Sequence, residues 1–413
     1  MKTVVLDDDP TGTQSASGVT VLLDSDADLL TEALREADAV YVQTNSRALD
    51  EAEAVALVRR IRRDGEAAGA RLGADVRFVL RGDSTLRGHV FAETEVFLDG
   101  GAVMLFAPAF PDGGRTTRGG VHYVRADGVD VPAHESEYAD DPVFGFGTGV
   151  LADFVAEKSG REAIGVDLET VRSGGLARVL AEAPAGGVVL PDAVGADDIA
   201  AIAAAVDAAD VPVVVRSASP LAAELAGVTS LGLLPTPLVD RAEPALLVCG
   251  SHTAGATAQL GPVTAEWGPP AVVDTASALR SPAEAGAAAA DTARSALARR
   301  PLAVVTSERE RAAEHDTLAH GEKVMAAITT AVRSLLPGVS VVVAKGGITS
   351  AEVARTGVGA SSAVVLGQVL PGVSVWRMRA RDGREILYVV VPGNVGGPDT
   401  LTRVLDGLRL RPA

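Results

Sequence analysis

The sequence predicts an α/β fold of two domains, each a mainly parallel β-sheet flanked by helices, with a cleft between them. Three observations predict it. Short β-branched runs alternate with Ala-rich stretches of helical period along nearly all 413 residues, the pattern of βαβ units. The length exceeds that at which a single core stops growing. Aromatic residues are 3% of the chain against 47% hydrophobic overall, so the cores must be built from Ala, Val and Leu, as where helices cover sheets.

In chain order, β-branched runs predict strands over 19–23, 39–43, 76–80 and 102–106, with helices over 28–37 and 50–72 between them. The stretch 112–149 is rich in Gly, Pro, Asp and Thr without clear period, and an irregular segment of that length inside a domain is usually functional. Strands resume at 188–190 and 211–215. Three prolines between Leu233 and Pro244 mark the boundary, so the domains are expected over 1–234 and 235–413. The second series has strands over 245–249, 271–273, 303–306, 339–344, 363–366 and 386–391, and a helix over 283–299. No fixed-period repeat suggests a solenoid.

The net charge of −17 argues against duplex nucleic acid or an anionic membrane as partner, because both repel an acidic surface. Met1-Lys2 runs straight into an apolar strand, and no apolar run reaches the ~18 residues of a membrane span, so a cytoplasmic protein is expected. Cys249 is the sole cysteine, which excludes an intrachain disulfide and a Cys-based zinc site and suits a core filler at a strand end. Lys2, Lys158, Lys323 and Lys345 are the only lysines, so a lysine beside a Gly-Gly turn stands out.

The first apolar run closes on Asp7-Asp8-Asp9-Pro10-Thr11-Gly12. Adjacent carboxylates repel one another and call for a cation or a function. The next polar strand ends are Thr44-Asn45-Ser46-Arg47 and Arg81-Gly82-Asp83-Ser84-Thr85-Leu86-Arg87-Gly88-His89, which a parallel sheet brings to the same rim. Arg81 and Arg87 can grip a carboxylate through their forks, while Asp and Asn side chains hold hydroxyls. Near the other end, Lys345-Gly346-Gly347-Ile348-Thr349-Ser350 and Pro392-Gly393-Asn394-Val395-Gly396-Gly397-Pro398 close apolar runs, and Gly250-Ser251-His252-Thr253-Ala254-Gly255 is a third such turn. Glycine turns that open helices present free N–H groups to phosphate. Thr349 to Glu352 fits a capping box, placing a helix start at Thr349. None of these turns is a P-loop or a dinucleotide fingerprint.

Asp7-x-Asp9-x-Thr11 also fits a haloacid-dehalogenase-type phosphatase, with Asp7 as nucleophile, Asp9 as acid/base, Thr44 and Lys158 at phosphate, and Asp197 and Asp198 at magnesium. That reading leaves the C-terminal domain and the 81–89 cluster without a role.

Taken together in order, these motifs resemble the four-carbon acid sugar kinases, a family that includes 3-oxo-tetronate, D-threonate and D-erythronate kinases. Asp8-Asp9-Pro10-Thr11-Gly12, Asp83-Ser84-Thr85-Leu86-Arg87-Gly88, and Pro108-Ala109-Phe110-Pro111 with Gly114-Arg115-Thr116 are similar to its N-terminal motifs. Gly250-Ser251 with Gln259, Gly346-Gly347-Ile348-Thr349 and Gly393-Asn394-Val395-Gly396 are similar to its nucleotide turns. The resemblance spans essentially the whole chain. Many members have Glu where Ile348 stands and Lys-Ser where Val391-Pro392 stand; the Asp7-Asp8-Asp9-Pro10 and Lys345-Gly346-Gly347-Ile348-Thr349-Ser350 forms look like one subgroup, for which the resemblance implies the activity class and leaves the particular sugar acid open.

The resemblance implies a sugar-acid-binding N-terminal domain, an ATP-binding C-terminal domain, and an ATP-dependent kinase acting on a hydroxyl of a small sugar acid. It implies Asp8 or Asp9 as the catalytic group at the acceptor hydroxyl, and Asn45, Ser46, Arg47, Arg81, Asp83, Ser84 and Arg87 as the substrate set. Ser251, Gly346, Gly347, Ile348, Thr349 and Gly393 carry over as ATP contacts; beside them the turns themselves offer Lys345, at the γ-phosphate, and Asn394, and Mg2+ is expected to bridge the phosphates and touch an N-terminal Asp. Closure of the domains is expected to hinge near 235–244. A binding protein without turnover is the remaining alternative, and a homo-oligomer is compatible with the sequence.

Overall fold

The β-branched runs form sheet strands in each of two compact units. The computed structural model describes residues 1–126, 128–310, 318–393 and 395–411, with the backbone alone at 318 and 319. One unit comprises residues 1–19 and 25–229, and the other comprises 20–24 and 230–413. The division thus falls just before the Pro-rich stretch, and a five-residue piece from near the N-terminus belongs to the second unit.

In chain order the strands are β1 (Lys2–Asp7), β2 (Thr20–Leu22), β3 (Ala39–Gln43), β4 (Val76–Arg81), β5 (Val103–Ala107), β6 (Arg115–Arg118), β7 (Val121–Ala126), β8 (Val129–Pro132), β9 (Ala163–Val166), β10 (Val188–Pro191) and β11 (Val213–Ser217). They continue as β12 (Ala245–Cys249), β13 (Ala271–Val273), β14 (Leu302–Ser307), β15 (Val341–Lys345), β16 (Ser362–Leu370), β17 (Val373–Arg379) and β18 (Glu385–Val391).

The first unit carries the order β3-β1-β4-β11-β5-β10-β9, every pairing parallel. The chain leaves β1 toward β3 and then crosses to β4 on the other side, so the order reverses at β1. Ligands of open parallel sheets bind at such a reversal, beyond the strand C-termini. Asp7 there lies opposite Gln43 and Arg81, which sets the acids beside the Arg81 turn.

The second unit repeats the arrangement in the order β13-β14-β12-β15-β18-β17-β16. Here β12 is the central strand, with Cys249 opposite Thr306 and Lys345 and with Lys345 opposite Val391. The strands β16 to β18 form an antiparallel meander, and β2 adds antiparallel to β16. Cys249 sits in this unit's apolar core with Leu247, Val343 and Val389. Among the described residues no helix is long and apolar enough to cross a membrane.

Local rules set most boundaries. The helix Glu51–Leu72 opens with the Asp50/Glu53 capping box and stops at Gly73, whose φ of 64° suits a residue without Cβ. Two expectations are corrected. The stretch 112–149 is not irregular throughout, because β6, β7 and β8 pair into a small antiparallel sheet. Arg115–Arg118 holds no apolar residue and the other two runs are only six and four residues long between glycine turns, so the strand period is too weak to read. The helix expected from Thr349 begins two residues earlier, as Gly347–Glu352 with Gly346 at its N-cap and no side-chain cap. Glu352 instead bonds Arg355 and Thr356.

Candidate functional site

In the first unit, the C-terminal end of β1 delivers Asp7, Asp8 and Asp9 into a nest of arginines. Arg81 Nη1 reaches Asp7 Oδ1 at 3.1 Å, Asp8 Oδ1 at 3.0 Å and the Asp9 carbonyl at 3.2 Å. Arg216, from β11, lies 3.5 Å from Asp8 Oδ2 and donates to Glu93. Arg47, in the turn Ser46–Ala48, donates to Asp9 Oδ2 and stands 3.5 Å from Asp8 and 3.6 Å from Asp83. Arg87 Nε donates to Asp83 at 2.8 Å, and its guanidinium lies over the Tyr138 ring, 4.9 Å from the centroid.

Close packing fixes the turn that carries the acids. Asp9 Oδ1 accepts from Thr11 N at 2.8 Å and caps the 3-10 turn Pro10–Ser15. Gly12 folds over Asp7 so tightly that a Cβ there would lie 2.2 Å from Asp7 Oδ1. Thr44 donates to the Asp7 carbonyl from both its amide and its hydroxyl.

Burial divides the acids by role. Asp7 is wholly enclosed, with Oδ2 unpartnered, and loss of solvation pushes its carboxyl up to about 7 despite Arg81. Burial also raises Asp8, against the pull of Arg47, Arg81 and Arg216. For Asp9 burial acts the same way, but Arg47, Arg81 and the Thr11 hydrogen bonds outweigh it and hold the carboxyl below its usual range. Asp83 is likewise held low, because Arg87 and Arg47 overcome its burial.

Arg81 is 3% exposed and committed to these acids, which corrects the expectation that its fork takes the substrate carboxylate. It positions Asp7 and Asp8. Arg47 and Arg87 remain partly open, their side chains 16% and 23% exposed. Asn45 holds the turn in the left-handed region at φ 50°. Ser46 is buried and accepts from Thr44. The Ser84 carbonyl meets His122 Nε2 at 2.8 Å. His122, pinned also by Thr117, is pushed down to about 4 by burial.

Arg216, Glu93, His122, Tyr138 and Asp141, whose carboxylate lies 3.6 Å from Arg87 Nη1, were absent from the motifs. An arginine inside the run Val213-Val214-Val215-Arg216-Ser217 is itself a signal, since a charge in a buried strand needs an acid partner.

In the second unit, the turns after β12, β15 and β18 converge. A Cβ on Gly250 would lie 2.6 Å from Thr349 Oγ1, one on Gly346 3.0 Å from Ser251 Cβ, and one on Gly393 3.5 Å from Ser251 Oγ. Gly346, not Gly347, carries the positive φ, 107°. Thr253 caps the helix Ala254–Trp267, and Gln259 donates to the Val395 and Gly396 carbonyls. Ile348 is exposed and Thr349 buried. Lys345 is not a solvated strand end. Its Nζ donates to the Pro392 carbonyl at 2.6 Å and the Gly393 carbonyl at 3.3 Å, and burial brings its pKa down to about 8. Asn394 lies outside the described residues.

The phosphatase constellation does not assemble. Asp198 pairs with Arg172 and accepts from the Val194 and Gly195 amides, Lys158 bonds Glu157 and the Gly145 carbonyl, and the would-be nucleophile Asp7 is sealed beneath Gly12. Among the described residues no group of three His, Cys, Asp or Glu side chains could hold a metal ion.

These two sites define an α/β protein that joins a sugar-binding N-terminal domain, matched over residues 3–225, to a nucleotide-binding C-terminal domain, matched over residues 246–401. The chain belongs to the four-carbon acid sugar kinase family. It is 32% identical over 225 residues to the D-threonate kinase of Bordetella bronchiseptica, covering 54% of this chain and 50% of that protein. It is 35% identical over 231 residues to the D-threonate kinase of Cupriavidus necator, covering 53% and 51%. The chain thus spans about half the length of the curated relatives it matches. A Salmonella typhimurium LT2 protein shares its fold at TM-score 0.67 and 20% identity over 98% of both chains. A Haemophilus influenzae protein does so at TM-score 0.63 and 19% identity, over 98% of this chain and 99% of its own.

Proposed function

We propose that this protein is an ATP-dependent kinase that phosphorylates a hydroxyl of a four-carbon sugar acid. The observation that carries the reading is the set Asp9, Arg47, Asp83 and Arg87, largely buried but each with some exposed side chain, at the strand-order reversal of the sugar-binding unit. It offers carboxylates for hydroxyls and guanidiniums for the acid group in one place.

Phosphoryl transfer asks the protein mainly for positioning and for charge neutralisation. Asp9, the more open of the adjacent pair Asp8 and Asp9, holds the acceptor hydroxyl in line and takes its proton as the bond to phosphorus forms. Asp8 acts behind it: buried among Arg47, Arg81 and Arg216, it keeps those guanidiniums in register. Arg47 and Arg87 take the substrate carboxylate, with Asp83, Asn45, Ser46 and Ser84 around the remaining hydroxyls. In the second unit, Ser251, Gly346, Gly347, Ile348, Thr349 and Gly393 line the nucleotide, and Gly346 and Gly393 come so close to Ser251 that a side chain on either would obstruct a phosphate there. Mg2+ commonly keeps several waters and is held by substrate phosphates, so it would enter with the nucleotide. When bound, it would neutralise charge on the phosphates.

The D-threonate kinase relatives support a tetronate as acceptor. The test is ADP release by the purified chain with ATP, Mg2+ and a panel of tetronates. Acid-dependent ADP release is expected. Binding of acid and nucleotide without turnover would replace the kinase with a sensor, and phosphate release without ATP would restore the phosphatase.

A further inference from the structure

The second unit carries a cation that no sequence motif marks. Arg309 lies two residues beyond β14 and turns back over the central strand β12. Its Nη1 donates to the Ser251 carbonyl at 2.7 Å and lies 3.6 Å from Cys249 Sγ. Its Nη2 donates to Ser307 Oγ at 2.8 Å and its Nε to the Ser307 carbonyl at 3.3 Å. From the opposite flank of β12, Lys345 reaches the Pro392 and Gly393 carbonyls. The two cations therefore bracket the turn that carries Ser251, one from β14 and one from β15.

Their partners set them apart. Arg47, Arg81, Arg87 and Arg216 in the first unit each face at least one carboxylate within 4.0 Å. Among the described residues, every acceptor of Arg309 and Lys345 is a neutral carbonyl, hydroxyl or thiol. Lys345 is fully buried and Arg309 partly so, and buried cations that face no carboxylate among the described residues are costly unless an anion completes them. A guanidinium has five N–H donors; the contacts above occupy at most four, which leaves a donor for a ligand oxygen. Lowering of Lys345 by burial is the behaviour of a lysine that lacks a counter-charge.

We propose that Arg309 is a phosphate-binding residue of the nucleotide site, paired with Lys345 across the Ser251 turn and selecting nucleotides that carry β- and γ-phosphates over the monophosphate. This rests on the reading of the second unit as an ATP site. Arg309 anchors on Ser251 and Ser307, so its fork is held ready before the ligand arrives, which lowers the ordering cost of binding.

Calorimetric titration of the full chain with ATP and with AMP tests it, in the wild type, Arg309→Gln and Arg309→Lys. Arg309→Gln is expected to weaken ATP by about tenfold or more while changing AMP less than about twofold, so the preference for ATP collapses. Arg309→Lys is expected to recover part of that preference by restoring the charge. Equal loss of ATP and AMP affinity in Arg309→Gln would make the residue a support of the Ser251 turn and overturn the inference. Unchanged ATP affinity would overturn it as well. Failure of the wild type to bind ATP at all would instead remove the nucleotide site, and the inference with it.

Discussion

Gly12→Ala tests the geometry of the acid cluster with a single methyl group. Gly12 does not have positive φ, so the backbone tolerates alanine and the effect is steric. The added Cβ would lie 2.2 Å from Asp7 Oδ1, 2.5 Å from Oδ2 and 2.6 Å from Cγ. An ordinary carbon–oxygen contact is about 3.4 Å, so either the 3-10 turn or the Asp7 carboxyl must shift by about 1 Å. Asp7 cannot retreat freely, because Arg81 holds it at 3.1 Å and burial encloses it. The turn therefore rises and lifts the Asp9 cap, whose bond to Thr11 N is 2.8 Å, away from Arg47. Overpacking of this kind costs about 1–3 kcal/mol of stability, and a 1 Å displacement of a positioning group costs about 10²-fold in rate.

The expected result is a fall in kcat of about 10²-fold with ATP affinity unchanged, read by steady-state ADP release and by titration with an ATP analogue. Gly165→Ala is the control. That residue lies on β9, has no positive φ, and would place its Cβ in open space, so its kinetics should match the wild type. A Gly12→Ala enzyme with wild-type kcat would refute the claim that this turn sets the catalytic geometry.

Three further outcomes follow from the same contacts. Arg216→Met strands the buried Glu93 carboxylate and should cost about 3–5 kcal/mol in chemical denaturation, whereas Glu93→Leu with Arg216→Met should recover most of the loss; a double variant no more stable than the single would count against the pairing. Gly346→Ala, at φ 107° and 3.0 Å from Ser251 Cβ, should weaken ATP by calorimetry without altering binding of the sugar acid, and unchanged ATP affinity would make the turn merely structural. Asp7 and His122 should give stability opposite pH slopes. Asp7 is raised from 3.8 to about 7, so its contribution is complete below pH ~4 and is lost as pH rises to about 7. His122 is lowered from 6.5 to about 4, so its contribution is complete above pH ~6.5 and is lost as pH falls to about 4. Each slope is at most about 1.4 kcal/mol per pH unit. Asp7→Asn should therefore make the slope of stability against pH between about 4 and 6.5 more positive than in the wild type, and His122→Gln should make it more negative, as measured by denaturant titration across that range. Slopes that shift the same way from the wild type in both variants would contradict the assignment.

The fold was legible wherever one period dominated. The runs at Ala39–Gln43, Ala245–Cys249 and Ala271–Val273 are strands with the bounds the sequence suggests, because β-branched residues between polar ends admit little else. β17 was not, since its Ser374, Arg377 and Arg379 break the apolar run, and its place is set by pairing with β16 and β18. At Thr349 a local capping rule lost to tertiary geometry: Gly346 starts the helix early, and Thr349 Oγ1 turns in beside Gly250.

The candidate site divides in the same way. Residues within one turn, such as Asp83 and Arg87, announce their contact by an i, i+4 spacing. Arg216 and Glu93 are 123 residues apart and meet only because β11 enters the sheet next to β4. Arg81 shows the reverse limit. Its rim position follows from the strand, but that its Nη1 is taken by Asp7 and Asp8 beneath the surface depends on side-chain packing that no motif encodes.

The most direct test of the account follows the phosphorus itself. The chain would be incubated with ATP labelled in the γ-phosphate, Mg2+ and a four-carbon sugar acid, and the label traced in a single turnover for the wild type and Asp9→Asn. The account predicts label in a phosphorylated acid for the wild type. For Asp9→Asn it predicts transfer slowed by about 10²-fold or more, with ATP still bound at wild-type affinity. Label appearing as free phosphate, or transfer by Asp9→Asn at the wild-type rate, would contradict it.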